Sequence, residues 1–98
     1  NEIKSIVLEF KNRLVDMGFR VSDVIVFGSY AKGYENIDSD IDVAVILQHP
    51  VSMQDKNKIS EIFWVAKQVN VKLEPHLLTT EEMKNPYLSI AGEVRKAR

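Results

Sequence analysis

The chain has 98 residues, of which 45% are hydrophobic and 28% charged, and its formal net charge is −1. This length predicts one domain spanning residues 1–98, and the near-neutral charge argues against strong nucleic-acid binding. The lack of cysteine excludes disulfides and thiolate metal sites. No apolar run approaches the ~20 residues of a membrane helix, and no signal-peptide pattern is visible. We therefore expect a cytoplasmic protein that does not enter a membrane.

The first half of the chain predicts a helix followed by two strands. Apolar residues recur at intervals of three and four over residues 3–17, which is typical of an amphipathic helix, and Gly18 follows as a C-terminal cap. The apolar run Val24–Phe27 ends at a glycine and predicts a short buried strand. A helical turn over residues 29–32 and a polar loop then lead to a second strand over residues 40–47.

The second half predicts a helix, an edge strand and further helices. Residues 53–69 carry one apolar stripe, as a capped amphipathic helix does. Residues 71–78 predict a third strand, and Pro75 places it at a sheet edge because proline cannot donate a ladder hydrogen bond. Thr79–Glu82 fits a capping box, and Asn85 is expected to cap the last helix, with proline at its first position.

The order helix, strand, strand, helix, strand, helix predicts an α/β (α+β) fold, a small sheet covered by helices. A domain with a small core and an exposed edge strand can self-associate, so the sequence is also compatible with a homo-oligomer.

The segment between the first two strands carries the chemistry. A Gly28-Ser29 turn follows the first strand, and Ser39-Asp40-Ile41-Asp42 opens the second. Asp40 and Asp42 are two residues apart, so on a strand both carboxylates point to one face. Magnesium prefers carboxylate oxygens together with phosphates and water. The pattern therefore predicts a magnesium-nucleotide site with Asp40 and Asp42 as metal ligands.

The glycine turn is suited to phosphate. Gly28 permits a positive φ and close approach of the backbone to a ligand, and the Ser29 hydroxyl can add a hydrogen bond. Gly33 lets the chain turn away without blocking the mouth of the site, and Lys32 can meet a phosphate as a point charge. We place these four residues, with Ser39, in the nucleotide-binding set.

Glu74 is the candidate for a third carboxylate, because an acid in the middle of a strand is otherwise unexpected. It would complete a second metal site and accept a proton during transfer. Each residue also has a simpler explanation. Gly28-Ser29 could be an ordinary turn, Glu74 a solvated acid paired with Lys72, and His76 a structural or exposed residue. The combination of these features at this spacing is what favours a site.

That combination resembles the nucleotidyltransferase superfamily that includes polymerase β. Its signature is an apolar residue, Gly-Gly or Gly-Ser, seven to thirteen residues, and then an acid, an apolar residue, an acid and an apolar residue. Here Phe27-Gly28-Ser29 is followed by ten residues and by Asp40-Ile41-Asp42-Val43. The longer form, which adds Ala31, Gly33 and Ser39, looks like the minimal nucleotidyltransferases of bacteria and archaea. In that family a third carboxylate lies on a later strand, which matches Glu74 by position.

The resemblance implies a mixed sheet with helices packed mainly on one face. It also implies transfer of a nucleoside monophosphate, AMP from ATP, to a hydroxyl, with two Mg²⁺ ions and release of pyrophosphate. Minimal members are often encoded beside a helical HEPN protein and act as its antitoxin, and some attach AMP to a tyrosine of that toxin. By this analogy the acceptor is a hydroxyl of a HEPN-type partner protein.

Three departures from the family pattern remain. Position 32 is Lys where Arg is frequent in the family. The third acid is Glu74 rather than the common Asp, and Pro75 follows it. The 98 residues also include no second domain for tRNA, an antibiotic or a primer, which argues against those substrates. Two alternatives stay open: a non-catalytic antitoxin of the same fold that acts by occlusion, and an unrelated α/β domain with a coincidental motif.

Overall fold

A computed structural model of the chain describes residues 2–33, 39–49 and 56–97. In chain order the elements are α1 (Glu2–Asp16), β1 (Val21–Phe27), α2 (Ser29–Lys32), β2 (Ile41–Leu47), α3 (Lys56–Val69), β3 (Leu73–Thr79), a 3₁₀ helix (Glu82–Lys84) and α4 (Ser89–Ala97). The predicted sequence of helices and strands is confirmed for these ranges. The predicted start of the third helix, residues 53–55, lies outside the described residues.

The three strands form one sheet of mixed direction in the order β1-β2-β3. β1 runs antiparallel to β2, and β2 runs parallel to β3. β3 is an outer strand, as Pro75 predicted. β1 begins three residues earlier than the apolar run suggested, because Val21 and Asp23 pair with Leu47 and Ile46 around an irregularity in the register.

The helices cover both faces of the sheet, with the two long ones on the same face. Phe10 and Leu14 of α1 and Ile62 of α3 pack on the β2 residues Val43 and Val45. On the other face, α4 and the 3₁₀ helix bury a smaller cluster comprising Ile25, Phe27, Ala44, Ile46, Leu78, Met83, Ala91 and Val94. β2 is therefore buried on both sides after its first residues, as its apolar sequence requires. The α/β fold class is confirmed.

β3 starts two residues later than predicted, and the capping box predicted after it is present. Residues 71–72 form a turn in which the Asn70 side chain accepts a hydrogen bond from the Lys72 N–H at 2.8 Å, so the strand starts at Leu73. The capping box is confirmed: the Thr79 hydroxyl accepts from the Glu82 N–H, and the Glu82 carboxylate accepts from the Thr79 N–H, each at 3.0 Å.

The last helix begins at Ser89, later than predicted. The Asn85 side chain accepts a hydrogen bond from the Tyr87 N–H at 2.9 Å, which closes a turn rather than the first turn of a helix.

Among the described residues, no helix is long and apolar enough to span a membrane.

Candidate active site

The site is built where β1 ends beside the start of β2. Phe27, the last residue of β1, pairs with Asp42 of β2. The next residue, Gly28, has φ 74° and ψ −146°, a conformation that essentially only glycine adopts. A Cβ at Gly28 would stand 2.6 Å from Asp42 Oδ2. The glycine therefore leaves the space that the Asp42 carboxylate occupies.

One helical turn, α2, follows and holds the remaining glycine-loop residues. It ends at Gly33, whose φ is 79° and whose N–H bonds to the Ser29 carbonyl. Ser29 is half-buried and Gly33 is exposed. The predicted phosphate contact of the Lys32 side chain lies outside what the structure describes.

The two aspartates lie around the start of β2, which begins at Ile41, one residue later than predicted. Ser39 and Asp40 precede the strand, Ser39 half-buried and Asp40 exposed. Asp42 lies on the face of β2 that carries Ala44 and Ile46, which is the α4 face of the sheet. Its side chain is 31% exposed. Asp42 is thus partly open to solvent near the start of the central strand.

Glu74 lies beside Asp42 in the sheet. The two residues are direct partners in the β2–β3 register, so their side chains leave the same face. The Glu74 carboxylate lies 3.6 Å from Lys67 Nζ, and both side chains are 45% exposed. Lys67 also donates to the carbonyls of Leu73 at 2.6 Å and Val71 at 3.1 Å. The ion pair therefore draws Glu74 towards the turn between α3 and β3.

His76 is a site residue whose contact with Asp42 we did not predict. Its Nε2 lies 3.2 Å from Asp42 Oδ1, and its ring meets Phe27 edge to face with centroids 5.0 Å apart. The sequence did contain a signal, because His76 is two residues from Glu74 and must share its face of the strand.

A hollow with a volume of about 180 Å³ opens next to Gly28. The described residues that line it are Gly28, Ala31, Glu93, Lys96 and Ala97. We call it the α2–α4 hollow, because these two helices form its walls. The hollow is smaller than the roughly 300–1,000 Å³ that is typical of small-molecule pockets. Its position links the glycine turn to the C-terminal end of α4.

The oxygen donors at the start of β2 fit a hard divalent cation. Magnesium is commonly held by one or two carboxylates, with phosphates and water filling the other positions, and Asp40 and Asp42 are donors of this kind. In residues 2–33, 39–49 and 56–97, no group of three or more histidine, cysteine or acidic side chains could hold a metal by itself. Phosphate oxygens of a bound nucleotide would be further ligands of the kind that magnesium prefers.

Comparison with known proteins agrees with this geometry. The sequence profile described as "Nucleotidyltransferase domain" matches residues 3–97. The chain belongs to the nucleotidyltransferase domain family. Nucleotidyl transfer is thus its general chemistry, and the predicted enzyme class is confirmed.

The chain is similar to several proteins of Methanocaldococcus jannaschii that are named as putative protein adenylyltransferases. One named "Putative protein adenylyltransferase MJ1379" is 31% identical over 88 residues, covering 90% of this chain and 85% of that protein. A second, "Putative protein adenylyltransferase MJ0126", is 27% identical over the same shares of each chain. A third, "Putative protein adenylyltransferase MJ0141", is 36% identical over 62 residues, covering 62% of this chain and 63% of that protein. These matches support the minimal nucleotidyltransferase assignment.

Proposed function

We propose that this chain is a magnesium-dependent nucleotidyltransferase domain, spanning residues 1–98, that moves AMP from ATP to a hydroxyl group of a partner protein. The observation that carries the proposal is the fit between Gly28 and Asp42. The backbone at Gly28 forms a turn that a phosphate can approach closely. The partly exposed carboxylate of Asp42 lies directly beside it, with Oδ2 only 2.6 Å from where a Gly28 Cβ would stand. The names of the archaeal relatives support protein as the acceptor and adenylyl as the group.

In this proposal the glycine turn binds the triphosphate. The N–H groups of Gly28 and Ser29 and the Ser29 hydroxyl would donate to phosphate oxygens, as consecutive backbone N–H groups in a turn can. Gly33, Lys32 and Ser39 complete the nucleotide-binding set proposed from the sequence. The α2–α4 hollow receives the part of the nucleotide that extends past Gly28, and Lys96 supplies a positive charge at its wall.

Asp40 and Asp42 would hold two Mg²⁺ ions together with phosphate oxygens, and Glu74 would complete the second position. Bound magnesium would neutralise the charge that develops on the phosphates during transfer. The acceptor oxygen forms a bond to the α-phosphorus, the bond from that phosphorus to the bridging oxygen breaks, and pyrophosphate leaves. Glu74 takes the proton of the acceptor hydroxyl, a role that requires its carboxylate to leave Lys67.

The acceptor that we propose is a hydroxyl of a HEPN-type toxin, with this chain as the cytoplasmic antitoxin. The support is the resemblance to minimal nucleotidyltransferases together with the relatives named as protein adenylyltransferases. The proposal includes self-association through the outer strands. β1 and β3 are the edges of the described sheet, and an edge strand can pair with another chain.

Calorimetric titration of ATP with Mg²⁺ tests the nucleotide site. Wild-type protein is expected to bind ATP only with Mg²⁺, and Asp42→Asn is expected to lose this Mg²⁺-dependent binding while it melts at a similar temperature. Labelling then tests the reaction. A partner protein should acquire label from ATP radioactive at the α-phosphate and none from ATP radioactive at the γ-phosphate. Label from the γ-phosphate would indicate a kinase and contradict the proposal.

A non-catalytic antitoxin that acts by occlusion is the second candidate. The observation that favours it is that the Glu74 carboxylate lies 3.6 Å from Lys67 Nζ, in an ion pair that draws it away from the role proposed for it. Co-expression with the partner toxin separates the two functions. Under the enzymatic proposal, Asp42→Asn and Glu74→Ala both lose protection, whereas under occlusion both variants protect and the toxin stays unmodified.

A further inference from the structure

We propose that His76 is a positioning residue that holds the Asp42 carboxylate with its free oxygen, Oδ2, turned towards Gly28. The inference rests on the proposed function, in which Asp42 is a metal ligand. His76 is placed outside the reacting groups and acts through Asp42 alone.

The first step is the division of the two carboxylate oxygens. His76 Nε2 lies 3.2 Å from Asp42 Oδ1, while Oδ2 lies 2.6 Å from the point where a Gly28 Cβ would stand. An ionised carboxylate can only accept hydrogen bonds, so the Nε2–H of His76 is the donor. Oδ1 is therefore engaged by the imidazole, and Oδ2 is the oxygen that faces the glycine turn.

The second step is that the imidazole is itself fixed. His76 pairs with Ala44, one position along from the Asp42–Glu74 pair, and its ring reaches back to Asp42 along the same sheet face. Phe27, which is buried and pairs with Asp42 from the other side, meets the ring edge to face at a 69° interplanar angle. Residues from both outer strands, Phe27 of β1 and His76 of β3, thus orient the carboxylate that β2 carries.

The third step is the effect of residues that hydrogen-bond to metal ligands without binding the metal themselves. Carboxylates that ligate a metal are commonly hydrogen-bonded by a second residue, and removing that residue typically lowers metal affinity or activity 10- to 100-fold. A half-exposed carboxylate without such a contact would populate several rotamers. His76 removes this freedom and leaves Oδ2 directed at the space beside Gly28.

Two substitutions separate the hydrogen bond from the packing. His76→Phe keeps a ring against Phe27 and removes the donor, whereas His76→Gln keeps an N–H donor and removes the ring. The measurement is Mn²⁺ affinity in the presence of a non-hydrolysable ATP analogue, followed by electron paramagnetic resonance of free Mn²⁺. We expect His76→Phe to weaken Mn²⁺ binding 10- to 100-fold and His76→Gln to stay within about fivefold of wild type.

The outcomes distinguish this inference from the proposed function. If wild-type protein binds no Mn²⁺ with the analogue, the proposed function fails and the inference fails with it. If wild type and His76→Phe bind Mn²⁺ equally, or if both variants lose the same affinity, the inference alone is overturned. Since His76→Phe could fold poorly, the wild type supplies a second measurement. Nuclear Overhauser contacts between the His76 ring and the Phe27 ring should persist when Mg²⁺ and the analogue are added, and their absence would overturn the inference.

Discussion

Asp42 Oδ2 occupies the space that a side chain at Gly28 would need, since a Cβ there would stand only 2.6 Å away. Gly28 follows the β1 residue that pairs with Asp42, so the two positions are fixed against each other by the sheet. Two separate constraints therefore require glycine at position 28: its positive φ, and the Asp42 carboxylate that fills the space of a Cβ.

The first prediction concerns Gly28→Ala. This variant should lose about 1–3 kcal/mol of unfolding free energy because of backbone strain, and it should lose Mg²⁺-dependent ATP binding because the new methyl group displaces Asp42. Gly18→Ala is the matched control, since Gly18 also has a positive φ, 95°, but a Cβ there meets nothing within 4 Å. The control should lose stability and keep ATP binding. Denaturant unfolding and calorimetry measure the two effects, and equal ATP affinity in both variants would contradict the proposed geometry.

A second prediction separates the chemistry of Glu74 from its ion pair. Both partners of the Glu74–Lys67 pair are 45% exposed, so Glu74→Gln should change the unfolding free energy by less than about 0.5 kcal/mol. Nucleotidyl transfer to the partner should fall about 100-fold or more if Glu74 accepts the proton. Initial rates with α-labelled ATP provide the measurement.

Lys67→Met is the control for that experiment. Lys67 donates to two backbone carbonyls in the turn before β3, so its loss should cost about 1 kcal/mol of stability with little change in transfer. An unchanged transfer rate in Glu74→Gln would remove Glu74 from the proposed catalytic set.

The third prediction concerns two adjacent cations of α4. Lys96 lines the α2–α4 hollow, so Lys96→Met should weaken ATP binding about three- to tenfold, equivalent to roughly 0.6–1.4 kcal/mol. Glu93→Gln should strengthen ATP binding, because Glu93 brings a negative charge to the same hollow.

Arg95→Met is the control on the neighbouring position. Arg95 Nη1 donates to the Met83 carbonyl and ties α4 to the 3₁₀ helix. Its loss should lower the unfolding free energy by about 1 kcal/mol and leave ATP affinity unchanged. If Lys96→Met and Arg95→Met have the same ATP affinity as wild type, the α2–α4 hollow does not receive the phosphates.

Several features could be predicted because they depend on short-range patterns. The apolar spacing of residues 3–17 specifies a helix, and Pro75 specifies an outer strand, since each constraint acts within a few residues. The Gly28-Ser29 turn and the Asp-x-Asp pair were likewise visible, because the signature lies within one connection between two strands. The nucleotidyltransferase family followed from that segment and is confirmed.

What the sequence by itself determined was therefore the helices, the strands and the chemical type of the motif. Only the tertiary structure decided which groups touch Asp42. His76 is 34 positions further along the chain, and its contact depends on the parallel register of β2 and β3. Lys96 beside Gly28 likewise depends on how α4 packs across the sheet. Such contacts result from packing between distant segments, where many pairings satisfy the same local pattern and burial of the shared core selects one.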